Sequence, residues 1–500
     1  MVASALLLPA PASAQSSQVD DLILLARAVP PEIAADTLIK LATGRSDMTP
    51  KARLALLDEA WALADNAQEP LKRHLVPGVD PNSRAGWLSR AFLLDLDRLS
   101  LRSRVLIGLV RDHPVDARNR FQTISVDVPP LTCRDTLAYD METYYQTAAI
   151  IARQAFSAAE RARGDHLVFL ENLIYGLRSP AQVPPIATLL IGLSSRDELA
   201  RLTGAFAMML RGVHGDDRAF SYTMSWHPLG DIIEKLALQC KARGVQAEGL
   251  LDAYRSYLVR HMSQRRCGAL EGSQSAGEDA VSRFNSTLRV AGYASFSELP
   301  PITKSDAEPA SLENVDPPRD SSLATTARQL KSELGLAISA RGSMMVPVST
   351  RGMPPRRGVM SMTTGGRVFR SYEDLPVSIE VFLKLTVLKD RLATWRTGPR
   401  DDQEEYFQLK SGLYASLFDV TPVGPLSDEV LSDFVDLLAH HDSDRHSRAG
   451  WYVRVYDLLR SARVVGPTTL ERVRQRLTLS GQPSLKAIVA LSTTLERAGP

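Results

Sequence analysis

Apolar residues recur along most of this chain at alternating steps of three and four, the spacing that lines one face of an α-helix. After Thr49-Pro50, an N-cap residue followed by a proline suited to the first turn, Leu54, Leu57, Trp61 and Ala64 share a face. Ser195-x-x-Glu198 reads as a capping box ahead of Leu199, Leu202, Phe206, Met209 and Leu210, with Gly212 as the stop. The longest stripe is Leu137, Met141, Tyr144, Ala148, Ile151, Ala155 and Ala159. It predicts one helix over Thr136–Arg163, ended by Gly164. Ser427 is expected to cap a helix bearing Val430, Leu431, Phe434, Leu437 and Leu438, with Asp428 and Glu429 at its positive start. Tyr452, Val455, Leu458 and Leu459 mark another helix, and Leu485, Ile488, Val489, Ser492 and Leu495 the last.

Strand signals are sparse. Ile124, Val126 and Val128 alternate, and Arg367–Tyr372 has the character of an isolated ribbon, but neither has the neighbours that a sheet needs. The pattern predicts an all-α fold. Helices joined by short Pro/Gly/Asp turns point to stacked antiparallel helix hairpins, as a degenerate α-solenoid or an irregular multi-helix bundle, with little or no sheet. The N-terminal stretch shows this best, with expected helices at Val19–Val29, Glu32–Thr43, Thr49–Asp65 and Arg84–Leu99. No fixed repeat period is present, the tetratricopeptide pattern included.

Two stretches interrupt the helical text. Leu299–Asp320 holds Pro300, Pro301, Pro309, Pro317 and Pro318 and reads as a linker. Arg341–Tyr372 carries Arg341, Arg351, Arg356, Arg357, Arg367 and Arg370 with Met344, Met345, Met353, Met360 and Met362, and no acidic residue. These breaks set the expected domains: a helical domain over 16–298, linker and long loops over 299–372 with one helix at 324–340, and a second helical domain over 373–500.

The first residues, MVASALLLPAPASAQ, change the picture of where the chain works. An apolar run, Val2–Leu8, leads through proline to Ala12-Ser13-Ala14, the order a signal peptidase reads. Residues 1–14 are therefore expected to be a signal peptide and the protein to be periplasmic or extracellular. No basic residue precedes the run, so the signal itself is expected to begin upstream.

Composition adds little drive toward one ligand. Hydrophobic residues make up 44% and charged residues 23% of the 500, and the net charge of +2 gives no global attraction to nucleic acid or anionic membranes. No later segment reaches the roughly 18 apolar residues of a membrane span. Cys133, Cys240 and Cys267 lie far apart with no C-x-x-C, which excludes a thiolate zinc site. Export implies one disulfide and one free thiol, and Cys240–Cys267, separated by a single helix, is the favoured pair.

Candidate chemistry is thin. The chain has no G-x-S-x-G, P-loop, G-x-G-x-x-G or H-E-x-x-H, and no catalytic or cofactor-binding residue or cofactor is assigned. His440-His441-Asp442-Ser443-Asp444-Arg445-His446 is the densest set of metal-ligand types, but its spacing fits a polar turn at a helix C-terminus better. Asp95 and Asp97, and Glu404 and Glu405, are the paired carboxylates; on helices such neighbours point apart, so they are expected on solvated faces. His113 and His227, each before a proline, are expected to be structural. Arg341–Tyr372 is the partner-binding candidate, its guanidinium groups suited to anions and its methionines to varied apolar surfaces. It has too few aromatics for nucleic acid. The expected function is that of an exported all-helical binding scaffold that holds a protein or an anionic polymer on its helical surface or on that segment. The alternative is an enzyme whose site gathers sequence-distant residues, with His440–His446 as a candidate metal site.

Overall fold

A computed structural model describes residues 20–44, 48–76, 79, 84–213, 215–224, 229–263, 265–267, 273–292, 299–303, 305–306, 311–313, 321–342, 378–399, 401–441 and 448–497. These residues are predominantly helical, and the packing is that of stacked helix hairpins, as the periodicity predicts. They fall into two compact units, one within Pro31–Pro317 and the other within Pro318–Pro500 together with Met1–Pro30.

The unit within Pro31–Pro317 opens with a hairpin of α1 (Pro31–Gly44) and α2 (Pro50–Ala64). Thr49 accepts a hydrogen bond from the Ala52 N–H, and Pro50 takes the first turn. There follow β1 (Lys72–Leu75), α3 (Arg84–Phe92), α4 (Arg98–Val110), α5 (Pro114–Gln122) and β2 (Leu137–Asp140). Then come α6 (Glu142–Gln154), α7 (Ala158–Arg163), α8 (Asp165–Tyr175), α9 (Val183–Ile191), α10 (Arg196–Leu210) and a short α11 (Ser221–Met224). The unit closes with α12 (Leu229–Ala242), α13 (Glu248–Ser263), β3 (Arg265–Cys267), α14 (Ser273–Ala291) and β4 (Ser311–Glu313). Each hairpin packs on the next: α1 and α2 on α4, α4 on α6, α6 on α8 and α9, α8 on α10, α9 on α12, α10 on α13 and α12 on α14. Gly108 lets α4 close on the first hairpin, since a Cβ there would sit 3.1 Å from Leu57 and Thr43 side-chain carbons. Phe121, Tyr144 and Phe169 carry the aromatic part of the core from α5 through α6 to α8, with Phe121 stacked on Tyr144 at 4.8 Å.

Several expected boundaries are corrected. Thr136–Arg163 is three elements, not one helix. Leu137–Asp140 pairs antiparallel with β1, putting Lys72 opposite Asp140 and Leu75 opposite Leu137. Asp140 Oδ1 then accepts the Glu142 N–H and starts α6. A second break follows Gln154, where Ser157 and Glu160 form a reciprocal capping box that begins α7, and Gly164, at φ +81°, ends it. The helix expected over Arg84–Leu99 stops at Phe92. Ile124–Val128 is not a strand and has no partner strand among the described residues. Ser195 does cap α10, but Glu198 turns to His166 Nε2 at 3.0 Å instead of closing the box.

The disulfide is also different from the favoured pair. Cys133 is bonded to Cys267, with Cα atoms 5.2 Å apart, and Cys240 is a buried free thiol in α12. Cys240 packs inside the hairpin stack, where burial raises its thiol pKa against the smaller opposing effect of Thr203. The loop before β2 is held to residues 217–218: Arg218, fully buried, donates to the carbonyls of Thr132 and Cys133, and the Asp217 N–H bonds the Leu131 carbonyl.

The second unit contains α15 (Ser322–Gly342), α16 (Ile379–Thr394), α17 (Gln403–Val420), α18 (Pro425–Ala439), α19 (Arg448–Val465), α20 (Pro467–Leu479) and α21 (Pro483–Arg497). Helix α15 packs on α16 and α17, α17 on α18 and α19, and α20 on α18, α19 and α21. Arg454 is buried at the α17–α19 contact, donating to Ser411 Oγ at 2.7 Å and to the Gln408 carbonyl at 2.8 Å. Ser427 is not the cap of α18: Gly424 precedes Pro425 at the first turn, and Ser427 is buried one turn in. Of the stripes read around Tyr452 and Leu485, Tyr452, Val455, Leu458 and Leu459 are buried on α19 and Leu485, Ile488 and Val489 on α21.

Candidate functional site

The carboxylate pair Asp95/Asp97 does not lie on a helix face. With α3 ended at Phe92, Asp95 takes a left-handed backbone conformation, φ 54°, and Asp97 becomes the N-cap of α4, accepting the Ser100 N–H at 2.9 Å. The β1–β2 register builds the rest of the cluster. Lys72 and His74, two apart on β1, share a face, and Asp140 stands opposite Lys72. Lys72 Nζ lies 2.8 Å from Asp95 Oδ1 and 3.5 Å from Asp140 Oδ2, and His74 Nε2 lies 2.8 Å from the same Asp140 oxygen.

Burial alone would lower the Lys72 amine. The hydrogen bond to Asp95 and the charges of Asp140, Asp95 and Asp97 outweigh it, and its pKa is raised. Burial would likewise raise Asp140, but the bonds from His74 and the Glu142 N–H, with the Lys72 charge, hold it below the ordinary carboxylate range. Asp97 goes the other way. Almost wholly buried, it is pushed up to about 7 by desolvation and by the Asp95 charge, despite the bonds from Ser100. Its Oδ1 is enclosed with no partner among the described residues. A carboxyl so enclosed exchanges a proton with effect on the fold.

Glu404 and Glu405 sit in the first turn of α17 beneath the N-cap Asp402. Contrary to the expected solvated face, Glu404 is buried against Gln408, accepting its Nε2 at 2.7 Å, and Glu405 accepts the Ser321 hydroxyl at 2.8 Å. His440 is the C-cap of α18, its Nδ1 2.6 Å from the Asp436 carbonyl, which agrees with a polar helix end. His441 stacks on Phe407 with ring centroids 3.7 Å apart. Residues 442–447 lie outside the described ones, and among those described no group of three or more His, Cys, Asp or Glu is placed to hold a metal. His113 precedes α5 without a side-chain cap bond, and His227 lies outside the described residues. So do residues 343–372 of the Arg/Met segment and the stretch 1–14.

One surface was not singled out by the sequence reading. Helix α16 buries Val381, Leu385, Leu388 and Leu392 within its own unit. Its other side exposes Ile379 (81%), Leu383 (57%) and Val387 (56%), one helical turn apart, with Phe382 beside them. The signal is present in IEVFLKLTVLKDRLAT, whose apolar residues exceed one buried stripe and spread among the charges of the other side. Among the described residues, no helix is long and apolar enough to cross a membrane.

Compared with models of protein families, with curated proteins and with solved structures, the chain matches none.

Proposed function

We propose that this protein is an exported binding scaffold and that the outer face of α16 is where a partner protein docks. The observation that carries the reading is that face: Ile379, Phe382, Leu383 and Val387 follow the i, i+3, i+4, i+8 spacing of a helix seated in a groove. Contiguous exposed apolar side chains of this kind mark interaction surfaces in chains that otherwise bury their hydrophobic stripes. The Arg/Met segment, Arg341–Tyr372, ends six residues before α16 in sequence and would add anionic partners. Export is supported by the A-x-A sequence at Ala12–Ala14 and by a disulfide joining the two halves of the first unit, a bond that persists in oxidising compartments.

The test compares the full chain with Leu383→Asp, both immobilised and exposed to an envelope extract. A protein that is retained by the wild type, identified, and then bound when purified, with loss of binding in L383D, is the expected result. Equal retention by both forms sinks the proposal. Light scattering on the two forms reports whether the partner is a second copy of the chain.

A further inference from the structure

The C-terminal end of α16 gathers positive charge around a single carbonyl. Trp395, the C-cap residue, uses its N–H on Arg391 within the helix, leaving its carbonyl to accept from outside. Three donors converge there: Tyr406 Oη at 2.6 Å, Lys410 Nζ at 2.8 Å and Arg396 Nη1 at 3.2 Å. Arg396 Nη1 also donates to the Ala393 carbonyl, so the guanidinium caps two carbonyls of the helix end with one nitrogen and keeps its other N–H groups for a further acceptor. Lys410 also donates to Tyr406 Oη at 2.9 Å, and its ammonium lies 5.2 Å from the Tyr406 ring centroid and 6.0 Å from that of Tyr414.

Charge around this group is unbalanced. Lys410 is buried, and neither it nor the exposed Arg396 forms an ion pair among the described residues. The neighbouring lysine on α16, Lys389, is by contrast fully engaged, with Asp390 at 2.9 Å and Glu429 at 2.7 Å. The carboxylate facing Lys410 is Asp433 on α18, which acts on it only through space. A buried ammonium without a carboxylate partner is costly, and the amine responds: burial first, then the Arg396 charge, lower its pKa to about 8, with Asp433 opposing.

We propose that Lys410, Arg396 and Tyr406 form a binding site for an oxyanion, a phosphate-type or carboxylate group. An anion there accepts from the N–H groups of Arg396 and Lys410 that the helix-end carbonyls and Tyr406 do not use, and balances the two cations. Arg396 supplies a fork of donors from the solvent side, while Lys410 and Tyr406 supply donors from within. Trp395 packs edge-on against Tyr406 at 5.1 Å, so the two rings make an apolar wall beside the charged end. The ligand class is therefore a small molecule or chain terminus with one oxyanion and a flat or apolar body.

Titration calorimetry on the full chain, in chloride buffer at fixed ionic strength, tests the site with two probes of constant charge. Sulfate stands for phosphate-type ligands and benzoate for carboxylates. Saturable one-to-one binding of at least one probe at pH 7 is expected, and which probe binds names the class. Binding should weaken about tenfold in Arg396→Gln and in Lys410→Met, the loss of one charge-assisted hydrogen bond. It should also weaken from pH 7 to 9.5 as Lys410 gives up its proton. No saturable binding of either probe, or binding unchanged in R396Q, overturns the site. Arg396 is exposed, so that variant decides the matter even where K410M does not fold.

Discussion

Gly450 on α19 lies against Gln408 on α17 so closely that a methyl group placed on its Cα would overlap the Gln408 amide. That amide is itself buried and donates to Glu404, so it has no free room to retreat. Gly450→Ala improves local helix propensity by about 1 kcal/mol. The overlap should outweigh this gain, for a net loss of about 1–3 kcal/mol. Thermal or urea unfolding of the variant, followed by a probe in the second unit, gives the answer; a variant more stable than the wild type would refute the close approach.

Asp97 should make the first unit respond to pH in one direction. Its folded-state pKa, about 7, lies above the unfolded value of 3.8. The folded state therefore holds the proton more tightly, and the stability this confers is full below pH 4 and lost as pH rises toward and through 7. The shift corresponds to a contribution on the order of 4 kcal/mol. Asp97→Asn keeps a capping oxygen for the Ser100 N–H and cannot ionise. The variant should match the wild type near pH 4 and gain on it steadily up to pH 8. Parallel stability curves across that range would show that Asp97 titrates normally.

The backbone at Asp95 and its side chain can be separated by two substitutions. Asp95→Ala and Asp95→Gly both remove the ion pair to Lys72, but only glycine adopts φ 54° without strain. D95G should be more stable than D95A by about 1 kcal/mol. Equal denaturation midpoints would mean that the turn relaxes when the carboxylate is lost.

The thiols should react in a fixed order. Cys240 is buried, so the native oxidised protein should resist labelling; one thiol should appear on denaturation and three after reduction. Cys133→Ser should destabilise the first unit by up to about 5 kcal/mol in the chain-entropy model, given the 134-residue separation of the bonded cysteines. Three thiols labelled in the denatured, unreduced protein, or a single label that maps to Cys133 or Cys267 instead of Cys240, is incompatible with the pairing.

Where the fold was legible, the reason is local. Thr49-Pro50 announces α2 because cap, proline and stripe all lie within one short window, and the stripe at Leu485 does the same for α21. Leu137 to Ala159 misled because Leu137 and Met141 keep helical spacing by coincidence. What makes Leu137–Asp140 a strand is Lys72–Leu75, four residues with little apolar character and far away in sequence. Asp97 was visible as a carboxylate but not as a cap, since its place depends on α3 ending early. The cysteine pairing, the crowded Trp395 carbonyl and the burial of Glu404 are facts of long-range packing, with no trace in spacing. The α16 face was not read from the sequence, because the exposure of Ile379, Leu383 and Val387 depends on which side of the helix α15, α17 and α18 cover.

The Cys133–Cys267 bond encloses β2 and every helix from α6 to α13 in one covalent ring. A protease that cuts a connection inside the ring, such as the turn at Gly192–Ser195 between α9 and α10, leaves both fragments on the same molecule. The nicked protein should run as a single species until reductant is added, so damage at such a turn costs the chain its continuity without costing it its parts.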